Sequence, residues 1–540
     1  YEEEFGFHNA LAWSPDSKFL AFLRFDERDV KTFGMTMFAG EEPHFNDYNL
    51  YPFNETFKYP KAGEKNSDVT AHVYELRSKT TIQVETGEET DVYLSRLRWT
   101  PDSNDLHVMR LNRRQDKLDI LYANPYTGES RLFYTEKNNR YISENFLDDF
   151  TYLDDGGFVV ISERDGWSQL FHYDRQGFEL EKLTDGEFDV TDFYGYDPEK
   201  EMFYYQAAAE SPLCREVYFR SLDAKKQGKL STREGTNSAS FSKGFKYYIH
   251  NFSCANTPNF VTLHDWKGET IRILEDNEML KNILEVYEVP VKEFFTFKTS
   301  EGVELNGWML KPNNFDATNK YPVVMYQYSG PNSQSVTDNI KVGWYEYLAQ
   351  QGFIVACVDP RGTGARGEEF RKMTYMQLGK YESDDQIEAA KYLASLPFVD
   401  NENIGIYGWS YGGFMVALSM CKSNVFKAGI SVAPVTSWRF YDTVYTERFM
   451  RKPQINADGY DDNSPLSHAE NLKGNLLLIH GSADDNVHVQ NTMEFSEKLV
   501  QAGVQFDMAI YTNRNHGIRG GNTTIHLYNK MANFLKEQLQ

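Results

Sequence analysis

Gly408-Trp409-Ser410-Tyr411-Gly412 fits the pattern G-x-S-x-G, and its flanks decide the fold. Ile404 to Tyr407 before it is a short apolar run of strand type, and Gly413 to Cys421 after it is a helix-forming run. A serine on such a strand-turn-helix corner is held in a strained backbone conformation with its hydroxyl exposed, and small glycines let the corner close. Ser410 is the candidate nucleophile.

Working outward from Ser410, the chemistry asks for two partners. A serine hydroxyl is a poor nucleophile until a histidine takes its proton, and the imidazole needs a carboxylate to fix its tautomer. The apolar run Leu476 to Ile479 leads into His480-Gly481-Ser482-Ala483-Asp484-Asp485-Asn486-Val487, and Phe506 to Tyr511 leads into Asn513-Arg514-Asn515-His516-Gly517. Both loops follow late strands, in the chain order Ser, Asp, His. His516 is preferred as base over His526, inside the last helix, and over His480, which ends a strand. Spacing leaves Asp484 and Asp485 as alternatives for the acid. The oxyanion calls for donors, expected from the Tyr411 backbone N–H and the Tyr328 hydroxyl, although an aromatic at 328 also suits packing.

From about Pro290 onward, strands alternate with amphipathic helices, the sign of a parallel sheet with crossovers. Val323 to Tyr326 and Phe353 to Val358 read as buried strands, Ser383-Asp384-Asp385-Gln386 as a capping box opening a helix to about Leu396, and Thr524 to Leu539 as a closing helix. This order is that of an α/β-hydrolase catalytic domain, assigned to residues 286–540. Residues 1–285 differ: short β-branched and aromatic runs alternate with turns and show almost no helical period. Trp13-Ser14-Pro15-Asp16-Ser17 recurs 86 residues later as Trp99-Thr100-Pro101-Asp102-Ser103. Weaker relatives at Leu153 to Gly157, Tyr196 to Lys200 and Phe241 to Gly244 follow at roughly 45-residue spacing, as four-stranded propeller blades require. A β-sandwich with coincidental turns is the alternative.

The 540 residues exceed one core, and 41% apolar with 15% aromatic residues suffices for packed interiors. A net charge of −23 argues against nucleic acid and anionic membranes and leaves room for substrates with a cationic group. Cys214, Cys254, Cys357 and Cys421 show no zinc or disulfide pattern, and no H-E-x-x-H occurs, so neither metal nor cofactor is expected. The apolar runs are too short to span a bilayer. Because the chain starts at Tyr1 without methionine, the lack of a leader says nothing about location.

These motifs together resemble the prolyl oligopeptidase clan of serine peptidases, in its dipeptidyl peptidase IV branch. The resemblance rests on Gly408 to Gly413, Tyr328-Ser329-Gly330-Pro331, Asp359-Pro360-Arg361-Gly362-Thr363-Gly364, His480 to His488 and His516-Gly517-Ile518. It implies Asp484 as the triad acid and Tyr328 as the side-chain oxyanion donor. It turns Trp438, Tyr441 and Tyr445, which read by helical spacing as a core stripe, into an aromatic slot with Val435, Val487 and Tyr411 for a proline or alanine side chain. A flat apolar slot selects by shape. Glu3 and Glu4, alone an ordinary acidic turn, match a glutamate pair that binds a free amino terminus. Asn486 would hold the second residue's carbonyl, and Tyr141 would serve a subsite beyond the slot.

There are departures from the family pattern. Blades that precede the glutamate pair, with an arginine for the substrate carbonyl, are not in this sequence, and the repeats present are too few for a closed propeller. A cysteine-rich propeller stretch of animal relatives is also missing, and Asn332 stands in place of a cysteine. This favours a bacterial enzyme of the periplasm, or a secreted one. Gly34 to Pro60 matches the arm with which relatives dimerise, or is a surface loop. The expected activity is release of X-Pro and X-Ala dipeptides from peptides with a free N-terminus. A tripeptidyl or acylaminoacyl peptidase of the same clan, or a non-catalytic propeller interaction protein, are the alternatives.

Overall fold

The computed structural model describes residues 2–6, 9–40 and 50–540; the side chains of Glu2 and Glu3 lie outside that description. Among the described residues, five four-stranded antiparallel sheets succeed one another between Leu11 and Glu275. In each, one of the five recurrent turns joins the first two strands. The two strongest copies fold alike: Ser14 Oγ donates to Asp16 at 2.7 Å while Ser17 sits at φ 60°, and Thr100 Oγ donates to Asp102 at 2.8 Å while Ser103 sits at φ 62°. Neighbouring sheets are tied through these motifs, since the Trp99 indole donates to the Ala12 carbonyl at 3.0 Å. Strands bury alternate residues where one face is wet, as in Phe19–Asp26, and every residue where both faces are covered, as in Phe158–Ser162.

The 86-residue gap between the first two copies has a structural cause. A hairpin, Thr32–Met37 paired with Phe53–Lys58, is inserted between the second and third strands of the first sheet. The hairpin falls in the Gly34 to Pro60 segment, of which residues 41–49 lie outside the described residues.

A helix, Glu278–Val286, leads from the last of these sheets to an eight-stranded sheet. Its first two strands, Lys292–Lys298 and Glu304–Leu310, are antiparallel, and the latter runs antiparallel to Ile354–Asp359. From there Ile354–Asp359, Tyr321–Tyr326, Val399–Trp409, Ala428–Val432, Asn475–Gly481 and Asp507–Tyr511 are parallel. Two apolar clusters, around Val416 and Phe495 on one face and around Ile430 and Leu535 on the other, bury the sheet as a parallel sheet needs.

Two local expectations are corrected. The helix placed at a Ser383 capping box begins a turn earlier, at Lys380, and ends at Ala394. Gly379 is its N-cap and the Glu382 carboxylate accepts the Gly379 N–H at 2.9 Å, while Ser383 Oγ bonds back to the Gly379 carbonyl. Trp438 and Tyr441 do not share a continuous helix with Tyr445. A short 3₁₀ turn, Trp438–Phe440, ends in extended Tyr441, and a new helix, Thr443–Met450, starts with Asp442 capping the Tyr445 N–H at 2.9 Å.

Candidate active site

The elbow takes the shape its sequence requires. Strand Val399–Trp409 ends at Ser410, held at φ 61°, ψ −119°, and helix Tyr411–Lys422 follows directly. Glycine is forced by contact: a Cβ at Gly408 would lie 2.3 Å from the Gly412 carbonyl oxygen, and one at Gly412 would lie 2.5 Å from the Gln327 oxygen. Tyr411, as first residue of the helix, has a backbone N–H without an intrahelical acceptor.

The acid and base loops converge beside the elbow. Asp484 is buried and Asp485 exposed, and His516 Nδ1 lies 2.8 Å from Asp484 Oδ2. The Trp409 indole donates to the His516 carbonyl at 3.0 Å, which fixes the base loop next to the nucleophile. Burial alone would raise the Asp484 pKa, but hydrogen bonds from His480 and His516 outweigh it and hold the carboxyl below its ordinary value. His526 is instead exposed on the last helix, bonded to the Tyr511 hydroxyl.

Tyr328 reaches the same place from another loop. Burial raises the pKa of its hydroxyl by more than the nearby Ser410 lowers it, so the phenol keeps its proton and can donate. The loop is held rigidly. Asp359 accepts the N–H groups of Ser335 and Val336, Gln386 bonds Ser329, Ser329 bonds Gln327, and Gln327 donates to the Gly412 carbonyl at 2.7 Å. Arg361, two residues after Asp359, is anchored by Asp385 and Glu301.

Behind the elbow, Tyr411, Val435, Trp438, Tyr441 and Val487 belong to one buried cluster, with Tyr445 and Tyr328 packed on its edge. Trp438 stacks on Tyr445 at 5.7 Å between ring centroids, and Tyr441 meets Tyr445 edge-on at 5.4 Å. So the break at Tyr441 leaves the three rings together. Tyr141, from the all-β part, joins the cluster with 2% exposure and packs against Tyr375 and Phe449. The Tyr441 hydroxyl lies 2.5 Å from Asn486 Oδ1 and 3.4 Å from Glu4 Oε1. A cavity of about 530 Å³ opens there, lined by Glu4, Tyr59, Tyr441, Asp485 and Asn486 among others. The Glu3 side chain lies outside the described residues.

Three features escaped sequence reasoning. His480 Nε2 lies 3.2 Å from Asp484 Oδ2, so a second imidazole stands on the acid. Glu382 accepts the Tyr411 hydroxyl at 2.6 Å, and burial pushes its carboxyl up to about 7. Arg113 of the all-β part grips Glu447 on the slot helix at 2.6 and 2.7 Å. Among the described residues no cluster of side chains suits a metal ion, and no helix is long and apolar enough to cross a membrane.

An elbow serine on an eight-stranded α/β sheet, with an acid–imidazole pair beside it, defines a serine hydrolase carrying a β-propeller region. Residues 1–259 match the family model of the dipeptidyl peptidase IV N-terminal region, and residues 341–540 that of the prolyl oligopeptidase family. The crystal structure of Porphyromonas gingivalis dipeptidyl peptidase 4 matches with a TM-score of 0.96 and 48% identity, covering 100% of this chain and 76% of that one. A probable dipeptidyl peptidase 4 of Arthroderma benhamiae is 33% identical over 562 residues, covering 100% of this chain and 72% of the relative. Dipeptidyl aminopeptidase B of Saccharomyces cerevisiae is 32% identical over 581 residues, covering 99% and 70%. The chain belongs to the prolyl oligopeptidase family, in its dipeptidyl peptidase IV branch.

Proposed function

We propose that this protein is a serine exopeptidase that releases X-Pro and X-Ala dipeptides from peptides with a free N-terminus. The observation that carries this reading is the contact between Glu4 and Tyr441 through the tyrosine hydroxyl. A carboxylate suited to an ammonium group stands immediately beside the aromatic slot, so only about two residues fit between the amino terminus and the reacting carbonyl. Ser410 Oγ attacks that carbonyl, His516 accepts the serine proton and returns it to the leaving amine, and Asp484 orients and stabilises the imidazolium. The Tyr411 N–H and the Tyr328 hydroxyl donate to the oxyanion. The acyl-enzyme is then hydrolysed by water that His516 deprotonates. The slot of Val435, Trp438, Tyr441, Tyr445, Val487 and Tyr411 accepts a pyrrolidine or methyl group and excludes larger side chains. Glu3 acts with Glu4 on the ammonium, Asn486 on the preceding carbonyl, and Tyr141, buried against Tyr375 and Phe449, backs the slot instead of serving a subsite beyond it. No cofactor takes part.

The test compares H-Ala-Pro and N-acylated Ala-Pro anilides with wild type and Glu4→Ala. Cleavage of the free form alone, with a large rise in KM in the variant, is expected; equal cleavage of both substrates sinks the dipeptidyl reading. The same proposal includes a homodimer and a periplasmic or secreted location. Exposed Leu50 and Tyr51 on the arm support the first. Light scattering of Leu50→Ser/Tyr51→Ser tests the dimer, with a monomer expected.

A further inference from the structure

His480 is the penultimate residue of the strand Asn475–Gly481 and is fully buried. Its Nε2 lies 2.7 Å from the Val487 carbonyl oxygen and 3.2 Å from Asp484 Oδ2, and its Nδ1 lies 2.7 Å from the Thr492 hydroxyl. A carbonyl and a carboxylate can only accept, so Nε2 carries a hydrogen whichever way the Thr492 hydroxyl turns. That hydrogen is bonded to the Val487 carbonyl, with Asp484 Oδ2 close beside it. The carboxylate oxygen it meets is the same Oδ2 that pairs with His516 Nδ1 at 2.8 Å. The other oxygen, Oδ1, accepts the N–H groups of Asn486 at 3.1 Å and Val487 at 2.9 Å.

Asp484 therefore sits between two imidazoles, and only one of them can serve Ser410. A buried carboxylate with one donor on Oδ2 could rotate about its Cβ–Cγ bond or take up a proton. The polarised Nε2–H beside that oxygen opposes protonation, and its bond to Val487 holds the loop whose Asn486 and Val487 N–H groups fix Oδ1 and so oppose rotation. The bond to Val487 also ties the acid loop back to the strand. We propose that His480 is a positioning residue of the catalytic machinery, aiming Asp484 Oδ2 at His516 and keeping it unprotonated. This rests on the reading of Asp484 and His516 as acid and base. The titratable groups facing the ring are Asp484, His516 across it, and His488, which Lys61 faces in turn; the helix Gln490–Gln501 presents Thr492.

Two isosteres separate positioning from packing. His480→Gln can place an N–H where Nε2 stands, whereas His480→Asn reaches only as far as Nδ1. With H480N, the acid limb of the kcat/KM profile is expected to move up by about half a pH unit, a roughly threefold loss at the acidic end. The loss falls in kcat with KM unchanged, and H480Q stays close to wild type. Equal behaviour of the two variants, or an unmoved acid limb in H480N, overturns the proposal. Should H480N not fold, Thr492→Val, which releases the other side of the ring, is expected to give a smaller shift in the same direction; no shift overturns the proposal. Asp484→Asn serves as reference. An inactive Asp484→Asn with a wild-type-like H480N removes only the role of His480, whereas a fully active Asp484→Asn removes the acid assignment beneath it.

Discussion

Arg113→Met cuts the clasp between the propeller region and the slot helix, and its cost follows from the geometry. The Glu447 side chain is 1% exposed and accepts three hydrogen bonds: Arg113 Nε at 2.6 Å, Arg113 Nη2 at 2.7 Å and the Gly63 N–H at 2.8 Å. Methionine keeps much of the volume and removes two of the three, leaving a buried carboxylate with one neutral donor. Breaking one side of such a pair costs about 3–5 kcal/mol. In a domain of this size that is a fall of about 6–20 °C in melting temperature. Because Glu447 and Tyr445 ride on the same helix, KM for an Ala-Pro substrate should rise more than kcat falls. The double variant Arg113→Met/Glu447→Leu replaces both partners by apolar groups and is expected to recover most of the lost stability. Scanning calorimetry with steady-state kinetics decides the matter. A single variant melting within about 2 °C of wild type, or a double variant no better than the single one, would refute the clasp as a source of stability.

Two further outcomes follow from the site. Tyr328→Phe removes one oxyanion donor and should lower kcat about 10²–10³-fold while Ser410 still reacts with a small fluorophosphonate, as gel fluorescence would read. Burial raises the Glu382 carboxyl to about 7, so the folded state binds its proton more tightly than the unfolded state does. The penalty on folding is absent while both states are protonated, grows as pH rises from the ordinary carboxylate range through about 7, and reaches about 3 kcal/mol above it. Urea melts of wild type and Glu382→Gln between pH 4.5 and 8 should therefore differ in slope, with wild type losing more stability toward pH 8.

Much of the architecture was legible because it is encoded locally. The elbow needs glycine where backbones nearly touch, and the propeller turns repeat because serine or threonine and aspartate must satisfy the same turn amides. Family resemblance, not spacing, chose Asp484 over Asp485, and burial gives the physical reason for the choice: only the inner aspartate meets His516. Local signals misled where two fit equally well. Ser383 is a good cap residue, yet Gly379 and Glu382 fill that role because Glu382 also receives the Tyr411 hydroxyl across the core. Trp438, Tyr441 and Tyr445 keep helical spacing across a break that Asp442 imposes by capping the next helix. The Arg113–Glu447 clasp and the second imidazole on Asp484 could not be read at all. One joins residues 334 apart, and the other depends on how a loop folds back upon its strand.

The most direct test incubates a free-N-terminal peptide with proline at its second position with wild type and with Ser410→Ala, and follows products by mass spectrometry. The account predicts that wild type releases the intact N-terminal dipeptide and leaves the remainder two residues shorter, while Ser410→Ala, equally folded, releases nothing. Undiminished dipeptide release by Ser410→Ala, or cleavage by wild type at any other bond in preference, would contradict it.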